Sequence, residues 1–188
     1  MVRLINKLKG NNMNKLAVAV LAMSVLGGVG VASAADYKNT VSLGYAHTHL
    51  SGLISGNAAG ANLKYNWEHL NSGFGVVGSL TYTEADLNNY YYGYRVGEVN
   101  YTSFLVGPSY RFNDFLSTYI MLGGASGEVK DNFGHSESKT SFAYGIGIQV
   151  NPVEHFAINA SYEHAKFSTQ LGDDIDAGTW VLGVGYSF

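Results

Sequence analysis

Thr179-Trp180-Val181-Leu182-Gly183-Val184-Gly185-Tyr186-Ser187-Phe188, residues 179–188, is the stretch whose reading decides the fold. Trp180, Leu182, Val184, Tyr186 and Phe188 occupy one parity, and Thr179, Val181, Gly183, Gly185 and Ser187 the other. Successive side chains of a strand point to opposite faces, so this segment has one bulky apolar face and one small face. Moving upstream, the same alternation recurs. Phe156, Ile158, Ala160 and Tyr162 oppose Asn159, Ser161 and Glu163, and Phe142, Tyr144, Ile146, Ile148 and Val150 oppose Lys139, Ser141, Ala143, Gly145, Gly147 and Gln149. Val41, Leu43 and Tyr45 oppose Thr40, Ser42 and Gly44, while Leu63, Tyr65 and Trp67 oppose Asn62, Lys64, Asn66 and Glu68. Segments 74–84 and 96–112 behave alike. Between Leu116 and Gly127 two assignments stay open, because Tyr119 and Met121 compete with Ile120 and Leu122 for the apolar face.

The connections alternate too. Leu70 to Gly73, Asn113 to Asp114 and Asn151 to His155 are tight, whereas the links near residues 50–60, 86–95, 128–138 and 168–177 are long. The expectation is an all-β fold, an eight-stranded antiparallel up-and-down barrel with short turns at one end and long loops at the other, the pattern of a transmembrane barrel. Parity decides which face meets lipid. A soluble barrel would turn its apolar parity inward, but here Lys64, Glu68, Arg111, Lys139 and Glu163 all lie on the small, polar parity. Charges in hydrocarbon cost several kcal/mol each, so these five are predicted inside, in contact with one another. An interior of this size is filled by side chains, and no open pore is expected. Tyr and Trp near strand ends fit aromatic girdles at the two membrane interfaces.

Composition agrees. Of 188 residues 13% are charged, against ~25% in an average soluble protein, while Gly numbers 24 and Tyr 14. With no Cys, disulfide scaffolds, thiolate metal sites and cysteine nucleophiles are excluded. Residues 1–34 read as a signal peptide: Arg3, Lys7, Lys9 and Lys15 precede an apolar run, Leu16 to Val31, and the small triplet Ala32-Ser33-Ala34. Met13-Asn14-Lys15 reads as an alternative start. Residues 35–188 then form the barrel, carrying 7 basic and 14 acidic residues, a balance that argues against nucleic acid as a partner. No later apolar stretch reaches the ~20 residues of a spanning helix.

Several stretches resemble the Ail/Lom family of eight-stranded outer-membrane barrels, outer membrane protein X among them. They are Thr40-Val41 through Gly44-Tyr45-Ala46, Asn62-Leu63-Lys64-Tyr65 with Glu68, residues 74–84, Gly107-Pro108-Ser109-Tyr110-Arg111 with Asn113-Asp114, Ser161-Tyr162-Glu163, and Gly183 to Phe188. The final strand is similar to those whose terminal aromatic is read by the barrel assembly machinery. The resemblance implies a monomer in the bacterial outer membrane, surrounded by lipid and lipopolysaccharide. It also implies surface loops acting in adhesion to host matrix or cells, in invasion, or in serum resistance through complement-regulatory proteins. The rival classes are a lipid A-modifying enzyme and a structural envelope barrel without a dedicated partner.

Tyr90, Tyr91, Tyr92, Tyr94 and Arg95 form the first-choice partner-binding loop, since Tyr and Arg supply contact area, hydrogen bonds and cation–π contacts; a tyrosine-rich girdle is the plainer reading. Strands projecting above the bilayer would offer an edge to a partner strand. Taken as Ser51 to Gly60, Asp86 to Glu98, Gly127 to Lys139 and Lys166 to Gly178, the four loop regions hold 4 basic and 8 acidic residues, which argues against polyanion binding. Asp173, Asp174 and Asp176 lack the glycine and closing glutamate of a calcium loop, and read as solvated acids. His47 and His49 share a parity but have no identifiable third ligand, so neither metal nor cofactor is expected. Glu163 and His164 with Ser168 approximate a catalytic set, but neighbours on one strand face opposite sides, so no catalytic residue is assigned.

Overall fold

The computed structural model describes residues 36–52, 56–88, 95–131, 136–168 and 174–188; the expected signal peptide lies outside them. Eight strands follow one another: β1 (Tyr37–Gly52), β2 (Gly56–His69), β3 (Phe74–Asn88), β4 (Arg95–Arg111), β5 (Leu116–Asp131), β6 (Ser136–Val153), β7 (Phe156–Ser168) and β8 (Asp174–Ser187). Each pairs with its sequence neighbours, and β8 closes on β1. Paired residues run from Ser42 through Lys64, Ser79, Leu105, Gly123, Ala143, Ala165 and Ala177, returning to β1 at Leu50, eight residues further along. A shift of eight over eight strands tilts each by roughly 36° from the barrel axis and leaves a bore that side chains fill.

Local chemistry makes the tight turns. Gly73 adopts φ 74°, a left-handed conformation that costs glycine little; its amide donates to the His69 carbonyl and its carbonyl accepts from the Arg111 amide. At the next turn the Asn113 side-chain oxygen accepts from the amides of Phe115 (2.9 Å) and Leu116 (2.8 Å), an Asx turn. At the other end the expected long loops shrink, because the strands run through most of them and leave only 53–55, 89–94, 132–135 and 169–173 between strands. With 13 to 18 residues apiece, the strands exceed the ~9–11 needed to cross a bilayer.

Outward-facing Leu43, Phe104, Ile120, Ile146, Leu182 and Val184 are all more than half exposed. A continuous apolar belt of this kind has hydrocarbon as its natural surroundings. Aromatic pairs border it: Tyr37 on Trp67 (5.1 Å), Phe74 against Tyr110 (5.2 Å) and His155 on Tyr186 (5.7 Å) at the turn end, with Tyr162 beside Trp180 (4.9 Å) toward the loops.

The ambiguous segment resolves as Tyr119 and Met121 inward, Ile120 and Leu122 outward. Tyr119 belongs inside because its hydroxyl accepts a hydrogen bond from Lys64 Nζ (3.1 Å), which also lies 5.1 Å from the ring centroid. Opposite it stands Gly147, where a Cβ would overlap the Tyr119 ring. Gly147→Val should therefore destabilise the barrel by about 1–3 kcal/mol through overpacking. Urea unfolding in detergent micelles measures this, and unchanged stability would show that the ring yields freely.

The interior is not polar throughout. The Thr48 hydroxyl meets those of Thr179 (2.8 Å) and Thr83 (3.0 Å). Beyond this cluster toward the loops, Leu50, Val99, Tyr101, Ala125 and Phe167 belong to one buried apolar cluster, Tyr101 edge-on to Phe167 at 6.4 Å. The same cluster continues down the bore through Leu105, Met121 and Val77, so apolar side chains share the interior with the hydrogen-bonded charges. Its signal was present, since Leu50 follows Ala46 and Thr48 on the inward parity, and Phe167 follows Ala165.

Candidate functional site

Two of the eight ladders stop early. The β2–β3 ladder ends at Ala59–Glu84 and the β6–β7 ladder at Ala143–Ala165. Between them β3–β4 continues to Asn88–Arg95, β4–β5 to Gly97–Asp131 and β5–β6 to Lys130–Ser136. Strands β3 to β6 thus carry on as a four-stranded sheet past the points where they join the rest of the barrel. At the β6 margin the Ser141 hydroxyl donates to the Lys166 carbonyl, a side-chain contact where the ladder has ceased. At the β3 margin the Tyr82 hydroxyl bonds Glu84 and Asn100 (both 3.1 Å). Full closure removes sheet edges, whereas a sheet that outruns its closure has two margins whose backbone groups can pair with an added strand.

The predicted contact loop belongs to this sheet. Asn88 pairs with Arg95, so β3 and β4 carry the connection 89–94 at their loop ends. Tyr90, Tyr91, Tyr92 and Tyr94 lie outside the described residues, and Arg95 is described by its backbone alone.

The charged residues assigned to the interior separate into two groups. Glu68 and Arg111 are buried 3.3 Å apart, and Arg111 also donates to the Asp114 carbonyl at 3.0 Å. Lys64 and Glu163 are fully enclosed but, among the described residues, no ion pair joins them. Lys64 donates to Ser161 (2.8 Å), Tyr119 (3.1 Å) and Asn159 (3.4 Å). Glu163 accepts from Ser79 (3.0 Å), Thr81 (3.1 Å) and Ser103 (2.8 Å). Lys139 lies nearer the loop end of β6 than either group. It is half-buried on β6 opposite Gly127, beyond Ala143 where the β6–β7 ladder ends, and past that point inward parity no longer ensures burial. The buried charges brace the barrel; they have no route to a partner.

A second cluster escaped the sequence reading. On the outward face near the loop ends of β7, β8 and β1, His49, Ser51, His164 and Asp176 line a pocket of about 310 Å³ with Tyr162, Gly178 and Trp180. His164 Nε2 lies 3.5 Å from Asp176 Oδ1, and its ring sits 5.3 Å from Tyr144. His49 Nδ1 is 2.8 Å from Asn57 Oδ1. These residues are far apart in sequence and meet through the register, in which Gly178 pairs with both His49 and His164. Glu163 points into the bore while His164 faces outward, so acid and imidazole serve different media. Asp173 lies outside the described residues, and Asp174 is described by its backbone alone.

A family model described as an outer membrane protein beta-barrel domain matches residues 18–188. The attachment invasion locus protein of Yersinia enterocolitica is 40% identical over 181 residues, covering 90% of this chain and 98% of that protein. Outer membrane protein X of Escherichia coli K12 is 37% identical over 182 residues, covering 90% and 94% respectively. Among solved structures, the attachment invasion locus protein Ail of Yersinia pestis superposes with a TM-score of 0.69 at 35% identity, covering 81% of this chain and 99% of that one. The same protein has been solved with the heparin analogue sucrose octasulfate (TM-score 0.68, 35% identity, 81% and 99% coverage).

Proposed function

Because the chain belongs to the outer membrane protein beta-barrel domain family, we propose that it is a surface attachment protein of the bacterial outer membrane, acting by binding and not by catalysis. The carrying observation is the β3–β6 sheet, which runs on beyond its junctions with β2 and β7. Its margins offer backbone pairing to a host matrix or cell-surface protein, and residues 90–95, which lead from β3 into β4 in the sequence, supply aromatic and arginine side chains for contact. Main-chain pairing is tolerant of partner sequence, which suits attachment to varied surfaces. The names of relatives support this reading, since they speak of attachment and invasion; serum resistance would use the same exposed sheet. Heparin-like ligands belong to the Yersinia pestis protein's complex, and the acidic balance of the loop regions in this chain disfavours them. We further read the signal peptide, monomeric state, lipopolysaccharide surroundings and delivery by the assembly machinery as parts of the same proposal.

The test compares cells displaying the intact protein with cells displaying a form whose residues 90–95 are replaced by a Gly/Ser turn. Attachment to cultured epithelial cells should fall by roughly tenfold, the equivalent of one hot-spot cluster, with barrel folding unchanged by heat-modifiable gel mobility. Equal attachment by both strains, or lipid A turnover by the purified protein, would overturn the reading.

A further inference from the structure

The rim cluster of His49, Ser51, His164 and Asp176 does not belong to the projecting sheet. It lies on β7, β8 and β1, facing outward beside the girdle pair Tyr162 and Trp180. Next to it is an apolar groove of about 370 Å³ lined by Ile120, Leu122, Phe142, Tyr144, Ile146 and Tyr162. Tyr162 borders both. The register fixes their relative depth. One row of outward residues runs Ile120, Ile146, Tyr162, Trp180, His47 from β5 to β1. Travelling in that direction gains the eight-residue shift toward the loop end, so the row climbs. The groove on β5–β7 therefore lies deeper in the bilayer than the polar pocket on β7–β1.

A polar pocket above an apolar groove, both on a lipid-facing wall, matches the two ends of one amphiphile. The polar end favours a particular headgroup. Asp176 repels a phosphate and draws hydroxyl donors, while His164 is already turned to Asp176. Trp180 is 63% exposed, leaving its indole face open beside these groups. An apolar ring face with hydrogen-bonding groups at its edge suits a sugar, whose C–H face packs on the indole while its hydroxyls reach Asp176, Ser51 and His49. Gly178 makes room at this site for the Tyr162 hydroxyl, which a Cβ there would meet, and so leaves that hydroxyl at the pocket floor as a further polar group.

We propose that this rim seats a membrane lipid with a saccharide headgroup, the sugar against Trp180 and Asp176 and one acyl chain in the groove below Tyr162. The site rests on the membrane placement of the barrel and is independent of the attachment reading. The chain has two tryptophans, and Trp67 lies in the turn-end girdle, so Trp67→Phe leaves Trp180 as the sole indole reporter. The full-length variant is reconstituted in phosphatidylcholine nanodiscs containing increasing monogalactosyl diacylglycerol, which has sugar and no phosphate. A parallel series uses phosphatidylglycerol of the same acyl chains, which has phosphate and no sugar ring. The galactolipid should change Trp180 emission saturably, phosphatidylglycerol should not, and Asp176→Asn with His49→Ala should raise the half-saturating fraction by about tenfold, the loss of one good polar contact set. Circular dichroism and heat-modifiable mobility confirm that the variants fold. An equal response to both lipids, an unsaturable response, or an unaltered titration in the folded double variant would each overturn the proposal.

Discussion

Glu163→Ala should destabilise the barrel by about 3–5 kcal/mol, the cost of removing one member of a buried charge group. Glu163 is fully buried and holds the hydroxyls of Ser79, Thr81 and Ser103, drawn from β3 and β4 onto β7. Its removal also takes away the negative charge enclosed in the same bore as Lys64, whose hydrogen bonds among the described residues go to neutral acceptors. Glu163→Gln keeps the hydrogen-bonding capacity and loses the charge, so its effect should be intermediate. The double change Lys64→Met with Glu163→Leu removes both charges and should recover most of the loss, since apolar replacement of a buried pair is often close to neutral. Equilibrium unfolding in urea, with the protein in micelles or thin bilayers, supplies the values. If Glu163→Ala alone unfolds no more readily than the parent, the interior charges do not brace the wall.

The second large effect separates the membrane belt from the projecting strands on a single strand. Ile146 and Ser138 share the outward parity of β6, and both are exposed. Ile146 lies in the apolar belt, while Ser138 lies beyond Ala143, where β6 has outrun its ladder to β7. Ile146→Arg should cost about 2–4 kcal/mol, the price of a cation near the bilayer midplane. Ser138→Arg should change stability by less than about 0.5 kcal/mol, as expected of a surface position in water. Equal losses at the two sites would mean that the belt extends to the end of β6 and that no sheet projects.

The barrel itself was legible in the sequence because alternation is a local property. Trp180, Leu182 and Val184 declare their face without reference to any other strand, and the charges at Lys64, Glu68, Arg111 and Glu163 declare the opposite one. Legibility failed where two residues of similar bulk competed. Tyr119 and Ile120 are both large, and only the empty space above Gly147 and the ammonium of Lys64 select Tyr119 for the interior. Strand length was underestimated because polar and glycine-rich stretches such as residues 56–60 read as loop, although pairing with β1 holds them extended.

Outside residues 116–127, sequence alone determined which face of its strand each residue takes, that the wall closes with eight strands, and that its outer surface needs lipid. The tertiary structure decided who stands beside whom. It split the interior charges into Arg111–Glu68 and the separately bonded Lys64 and Glu163, capped the bore with Leu50, Tyr101 and Phe167, and assembled His49, His164 and Asp176 on one rim. The reason is physical: the face of a strand residue follows from a two-residue repeat along the chain, whereas its neighbours follow from register, which is set by pairing between distant segments.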